Sequence, residues 1–297
     1  MRPPFIGIIG GSGMEDKEIF HSNTKTHRIE TPYGNPSDVV LTGKIGGIKA
    51  AFLPRHGTKH QLAPSKIPYK ANIWALRSLG VQFIIGTCIV GSLKKKIEPG
   101  SFVVLDQFVN LTHGRDHECI EKDGSFLHLP MGEPYCAVTR DLVIQGLKET
   151  NRRVQRKGTV VVIQGPRFST KAESRFFMRQ KWDVVNMTQY PECLFARELG
   201  VCYAAFASVT DYDVGTEQTM SMDPSDLSKV LKVFHKNTEK TIKALQNMVT
   251  GAGKLTCGCA ASRIREYYNQ SDNKLYAKRR KANEVISRER CRSRCNV

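Results

Sequence analysis

Apolar residues recur along the chain in short runs of aliphatic, aromatic and β-branched side chains. They lie at Phe5 to Ile9, Ala50 to Leu53, Val81 to Ile85, Phe102 to Leu105, Val160 to Ile163, Val184 to Val185 and Val201 to Val209. Such runs suit strands of a buried sheet. Between several of them the apolar spacing takes a helical period. Ile67 to Leu79 carries apolar residues on one side and stops at Gly80, a residue suited to closing a helix. Thr170-Lys-Ala-Glu173 reads as a capping box ahead of Phe176, Phe177 and Met178. Pro191 suits the first position of a helix ended by Gly200. Leu227, Val230, Leu231, Phe234, Ile242, Leu245 and Met248 mark a long amphipathic stripe. Strands alternating with helices predict an α/β fold around a largely buried sheet. With no repeat and no long linker before residue 250, one domain over residues 1–250 is the simplest organisation. Beyond it Gly251-Ala-Gly253 breaks the last helix, and 251–297 reads as a basic, cysteine-containing extension, too charged to bury much and open to disorder.

Composition changes this picture in two places. The chain has 297 residues, 40% hydrophobic and 25% charged, as in ordinary globular proteins, but its formal charge is +17. Residues 260–297 hold eleven Lys/Arg against four Asp/Glu, which puts +7 on the tail and leaves +10 on the rest. Both parts attract anions, and Lys278-Arg-Arg-Lys281 reads as a nucleic-acid contact, a localisation signal or a solvated surface. The apolar run near the N-terminus is too short for a signal peptide or a membrane span, so a soluble, cytoplasmic protein is expected, with a nuclear pool if the basic run is an address. Nine cysteines without a secretory signal predict mostly reduced thiols. Cys257-Gly-Cys259 and Cys291-x-x-x-Cys295 lack the repeated spacing of a zinc finger, so no metal is expected.

Candidate chemistry collects at the ends of the predicted strands, where open α/β sheets bind ligands. Ile9-Gly-Gly11-Ser12-Gly13 offers backbone N–H groups and a hydroxyl to an anion. A dinucleotide fingerprint would need glycine where Asp16 stands, and no phosphate-loop motif of the ATPase type occurs. Pro54-Arg55-His56-Gly57 brings a planar fork of donors and an imidazole. Gly86-Thr87-Cys88-Ile89-Val90-Gly91-Ser92, Gln164-Gly-Pro-Arg167-Phe168-Ser169 and Asn186-Met187-Thr188 follow the same pattern. Asp211-Tyr212-Asp213 ends the last strand. If the strand persists, the two acids share a face and disfavour joint ionisation, so one of them holds a proton near neutral pH. Taken alone, the pair reads first as carboxylates of a loop, one capping the next helix and one solvated.

From about Phe5 to about Met248 the chain resembles the purine nucleoside phosphorylase and 5′-methylthioadenosine phosphorylase family. The likeness rests on Gly7-Ile-Ile-Gly-Gly-Ser-Gly13, Arg55-His56-Gly57, Tyr69-x-Ala-Asn-Ile-Trp-Ala-Leu76, Gly91-Ser-Leu93, Glu98-Pro-Gly100, Asp106-Gln-Phe108, Gly165-Pro-Arg-Phe-Ser169, Asn186-Met-Thr-Gln-Tyr-Pro-Glu192 and Thr210-Asp-Tyr-Asp213. The resemblance implies a three-layer α/β fold with a central mixed sheet flanked by helices. It also implies a trimer or dimer of trimers, no metal or organic cofactor, and phosphorolysis of a purine nucleoside with inorganic phosphate as co-substrate. Ser12, Arg55, His56 and Thr188, with the backbone around Cys88 and Ile89, would bind phosphate. Phe168 and Met187 would pack on base and ribose, while Asp211, Tyr212 and Asp213 would read a 6-amino purine, the two acids serving catalysis. His128 would reach a neighbouring subunit's pocket, and Leu227 and Leu231 would line the site of the 5′ substituent. Methylthioadenosine is the expected substrate; the rivals are a broader phosphorylase acting on adenosine, inosine or guanosine, and a nucleic-acid-binding protein working through the tail.

Overall fold

A computed structural model of the chain describes residues 4–14, 19–20, 24–115, 128–150, 153–216, 227–253, 255–259 and 261, with backbone alone at 227–232, 234 and 235. Along it run β1 (Ile6–Gly10), β2 (Lys25–His27), β3 (Val40–Ile45), β4 (Ile48–Pro54), α1 (Tyr69–Ser78), β5 (Phe83–Ser92), β6 (Phe102–Val104) and β7 (Gln107–Leu111). They are followed by α2 (Ala137–Lys148), β8 (Val154–Gln155), β9 (Thr159–Ile163), α3 (Lys171–Arg179), β10 (Val184–Asn186), α4 (Gln189–Glu198), β11 (Cys202–Tyr212) and α5 (Leu227–Gly251). All seven predicted apolar runs become strands. β2, β3, β7, β8 and α2 were not anticipated: β2 and β8 are short and not buried, and β7 carries mostly half-exposed positions, so none shows a long apolar run.

Among the described residues the strands form one mixed sheet in the order β2-β3-β4-β1-β5-β10-β9-β7, with β11 also paired to β5, and with β6 and β8 extending from β11. β5 is its axis. It runs parallel to β1 and β11, and its last residues pair antiparallel with β10. Flanked on both sides, it continues to Ser92, well past the predicted end at Ile85.

Side chains of a strand alternate between faces, and β11 divides two cores accordingly. Tyr203, Ala205, Ala207 and Val209 join the core that holds Ile73 and Leu76 of α1 and Phe195 of α4. Cys202, Ala204 and Phe206 face the core that holds Leu142 and Leu147 of α2 and Leu245 and Met248 of α5. β1 splits the same way, with Ile9 on the first side and Ile6 and Ile8 on the second. The result is the expected three-layer arrangement.

Helix boundaries follow the local chemistry with two departures. Pro68 takes the N-cap place of α1, so that helix starts at Tyr69 rather than Ile67, and Gly80 beyond its end adopts φ +92° as anticipated. Pro191 is not a simple first helical residue. Tyr190 before it is extended (φ −115°, ψ 134°), because a proline pushes its predecessor out of the helical region, and regular helix resumes after Pro191. The capping box of α3 is complete: the Thr170 hydroxyl accepts from the Glu173 N–H, and the Glu173 carboxylate accepts from the Thr170 N–H.

Beyond α5, Leu255, Cys257, Cys259 and Ala261 pack against the second core. The basic run Lys278 to Lys281 and the pair Cys291 and Cys295 lie outside the described residues. No helix among the described residues is long and apolar enough to cross a membrane.

Candidate functional site

The ends of β1, β4, β10 and β11, the middle of β5 and the loop before α3 enclose a cleft of about 370 Å³, within the range of small-molecule sites. Of the residues singled out from sequence, Ser12, Arg55, His56, Cys88, Ile89, Phe168, Met187, Thr188, Asp211, Tyr212 and Asp213 all line it. His128 is exposed and does not line its own chain's cleft. Leu227 and Leu231 fall at the start of α5, and their side chains lie outside the described residues.

The loop after β1 is pressed against β5. Gly11 N–H donates to the Thr87 hydroxyl at 2.9 Å. A Cβ on Gly11 would stand 2.8 Å from the Thr87 carbonyl oxygen and 3.1 Å from Arg55 Nη1, so only glycine allows this approach. Ser12, the next residue, lines the same cleft as Arg55.

Arg55 is fully buried, and its fork is largely committed within the protein. Nε donates to Glu192 Oε2 at 2.6 Å, Nη2 to Glu192 Oε1 at 2.7 Å, and Nη1 to the Thr87 carbonyl at 2.6 Å. Sequence reasoning treats Arg55 as an open fork. The structure leaves one N–H on each terminal nitrogen after these bonds. Burial alone would lower the guanidinium pKa, but the charge and hydrogen bonds of Glu192 hold it above its ordinary value, so Arg55 stays charged. Glu192 also accepts from Tyr203 Oη at 2.6 Å. Sequence reasoning assigned Glu192 no role; its signal was its place at the end of the Asn186 to Glu192 motif.

His56 Nδ1 lies 2.8 Å from the Leu62 carbonyl, which can only accept, so Nδ1 carries the hydrogen. The imidazole lines the cleft beside Arg55. The ring stacks on His60 at 4.7 Å. Cys88 is buried, and its thiol is pushed up to about 12 by that burial, which favours the neutral form. Thr188 is buried before α4, and its hydroxyl makes no capping bond to the helix. The side chain of Asn186, also buried in the cleft wall, makes no hydrogen bond of ordinary geometry among the described residues, with the Cys88 thiol close by. It too had no role assigned from sequence.

The acids are placed differently from the sequence expectation. The register between β11 and β5 shifts between Val209 and Asp211, a bulge that sets Asp211 beside Gly91 and Tyr212 beside Ser92. The strand ends at Tyr212, so Asp213 lies just beyond it. Burial pushes the Asp211 carboxyl up to about 6, against a 2.6 Å hydrogen bond from the Thr210 hydroxyl, and the Asp213 charge is the smallest contribution. Desolvation rather than mutual repulsion therefore drives the shift. Asp213 is also raised by burial, opposed by the Ser174 and Ser169 hydroxyls and the Val214 N–H. Tyr212 donates its hydroxyl to the Lys95 carbonyl at 3.1 Å.

Phe168 and Ser169 enter the cleft from the loop before α3. That loop is fixed by the capping box and by Arg167, which donates to both oxygens of Glu173 at 2.8 and 2.7 Å and, with the Thr170 N–H, holds the Glu173 carboxyl down to about 2. Phe168 itself is 78% exposed, the most exposed large apolar side chain among the described residues.

Residues 5–250 match the phosphorylase superfamily. The chain is 45% identical to S-methyl-5′-thioadenosine phosphorylase of Pyrococcus furiosus over 258 residues, covering 86% of this chain and 96% of that protein. It is 50% identical to the protein of the same name from Mycolicibacterium smegmatis over 212 residues, 71% of this chain and 78% of the relative. Among solved structures it is similar to methylthioadenosine phosphorylase from Schistosoma mansoni in complex with adenine, with a TM-score of 0.82, 34% identity and coverage of 92% and 100% of the two chains. A mutant of the adenosine/methylthioadenosine phosphorylase of that organism in complex with methylthioadenosine gives a TM-score of 0.81 at the same identity and coverage. On the extent of these matches, the chain belongs to the phosphorylase superfamily and is an enzyme of its pentosyltransferase branch, with the nucleoside phosphorylase fold.

Proposed function

We propose that the protein cleaves S-methyl-5′-thioadenosine with inorganic phosphate, giving adenine and 5-methylthioribose 1-phosphate for methionine and purine salvage. The observation that carries this reading is the buried Asp211, poised to hold a proton near pH 6, in the same cleft as the cation of Arg55. A phosphate oxygen forms a bond to C1′ while the C1′–N9 bond breaks, and the bonding pair leaves with the base. Asp211 gives its proton to N7, and Asp213 accepts from the exocyclic amine. The two remaining Arg55 N–H groups, the His56 imidazole and the hydroxyls of Ser12 and Thr188 hold the phosphate, whose negative charge stabilises the oxocarbenium-like transition state. Backbone at Cys88 and Ile89 completes that cradle. Phe168 and Met187 cover base and ribose, and Leu227 and Leu231 at the start of α5 take the methylthio group. No organic cofactor enters the scheme.

The working unit is a homo-oligomer, a trimer or dimer of trimers, in which His128 serves a neighbour's cleft. Its exposure outside its own cleft supports this, as does Phe168 standing open to solvent.

Adenine release from methylthioadenosine, followed with and without phosphate and compared with adenosine and inosine, tests the assignment. Phosphate-dependent release, fastest with methylthioadenosine, is expected. No release, or equal release without phosphate, overturns phosphorolysis; faster cleavage of inosine overturns the substrate. Sedimentation of the purified chain tests the oligomer, which a monomer active at high dilution would exclude.

A further inference from the structure

Away from the cleft, four cysteines converge. Cys136 stands at the N-cap of α2, Cys202 opens β11, and Cys257 and Cys259 belong to the segment after α5. Their sulfur atoms all lie within 4.8 Å of one another. Cys136 Sγ is 3.3 Å from Cys257 Sγ, and Cys202 Sγ is 3.6 Å from Cys259 Sγ. The spacing Cys-x-Cys alone argued against a metal, because it lacks a second pair in the sequence nearby. The fold supplies that pair from positions 121 and 57 residues distant.

We propose that Cys136, Cys202, Cys257 and Cys259 bind one Zn²⁺ as a closed tetrathiolate site that fastens the segment after α5 to the core. Three observations carry it. Four sulfurs tetrahedral about zinc at about 2.3 Å stand about 3.8 Å apart; the two shortest pairs here, 3.3 and 3.6 Å, fall just under that value, and every pair lies within 4.8 Å. The two core ligands are held by the fold before any metal arrives: both are buried, and Cys136 N–H donates to the Tyr203 carbonyl at 2.8 Å, tying the start of α2 to β11. The Cys259 N–H points at Cys257 Sγ, 3.3 Å away, the outer hydrogen bond that stabilises a thiolate ligand.

Binding exchanges four S–H bonds for four Zn–S bonds and releases the protons to solvent, with no change of oxidation state. All four positions are protein ligands, so the site is structural and offers no vacancy for catalysis. It would hold Leu255 and Ala261 against the core formed by α2 and α5.

Full-length protein, purified under reducing conditions and passed over a chelating resin, is expected to contain about one zinc per chain by mass spectrometry of the metal. Replacement of the zinc by Co²⁺ should give the intense ultraviolet charge-transfer bands of a tetrahedral thiolate site. The double variant Cys257→Ser/Cys259→Ser, which keeps both core cysteines, should lose the metal and unfold at lower temperature. Metal-free parent protein, two disulfides by intact mass, or zinc retained in the double variant would each overturn the proposal. Should the variant fail to fold, the zinc content and cobalt spectrum of the parent decide it.

Discussion

The cleft combines two kinds of construction. Around Arg55 the packing is tight: the buried guanidinium spends three donors on Glu192 and Thr87, and Gly11 is packed against both Thr87 and Arg55. Around the acids the lining is looser, with Phe168 projecting into solvent and the Tyr212 ring only partly covered, its hydroxyl on the Lys95 carbonyl. A small symmetric anion needs donors fixed before it arrives, since each bond to it gains from preorganisation. A planar base is gripped by its faces, for which an exposed aromatic ring is suited.

If the rigid part is rigid because of its buried ion pair, Glu192→Gln should show the largest effect. A neutral partner leaves the Arg55 charge uncompensated, costing about 3–5 kcal/mol of stability, measured by urea unfolding. A loss under 1 kcal/mol would mean that Thr87 and water suffice to hold the arginine. Asp211→Asn should reduce kcat/KM by about 10²- to 10⁴-fold, because the amide cannot transfer a proton to N7. The same variant tests linkage to pH. With a folded pKa of about 6 against an ordinary 3.8, Asp211 is protonated in the native chain where the unfolded chain has already lost its proton. Its contribution to stability is therefore present below pH 3.8 and is lost as pH rises through 6, and kcat/KM should fall along the same limb. Asp211→Asn should flatten both, and an unchanged pH profile would place the working acid elsewhere.

Phe168→Ala probes the open part. Loss of a stacking face should raise KM with a penalty of about 1–3 kcal/mol while leaving thermal stability nearly untouched, since the ring is exposed. A marked loss of stability would show that the ring is covered in the assembled enzyme. The smallest effect belongs to the support of that loop: Thr170→Ala removes half of the capping box and should cost about 1 kcal/mol in unfolding. If its KM also rises, the cap positions Phe168 and Ser169 as well as stabilising α3.

The seven apolar strands, the capping box and Gly80 were legible because each depends on neighbours in sequence. So were the cleft residues, which sit in contiguous motifs at strand ends. The edge strands escaped because β2 is short and exposed and the apolar residues of β7, Phe108, Val109 and Leu111, do not alternate with a period of two. Pro191 misled for a different reason: its ring fits the start of a helix, but the same ring holds Tyr190 before it extended, a local effect the helix assignment left out. Glu192 looks like any acid at a helix start until Arg55, 137 residues earlier, is brought against it. The pKa shift of Asp211 was anticipated with the wrong leading cause, since burial depends on the packed cleft while the proximity of Asp213 can be counted from sequence. The joining of Cys136 and Cys202 to the Cys257-x-Cys259 pair likewise belongs to the fold alone.

The bulge in β11 gives that strand something like a reading frame. Thr210 is the residue skipped in the pairing with β5, and this one skipped position decides that Asp211 stands opposite Gly91. Deleting any single residue between Cys202 and Val209 would turn every later side chain to the other face or erase the bulge, and either change would displace the acids. Divergence along β11 is therefore confined to substitution, while changes of length must be absorbed in the connections before and after it.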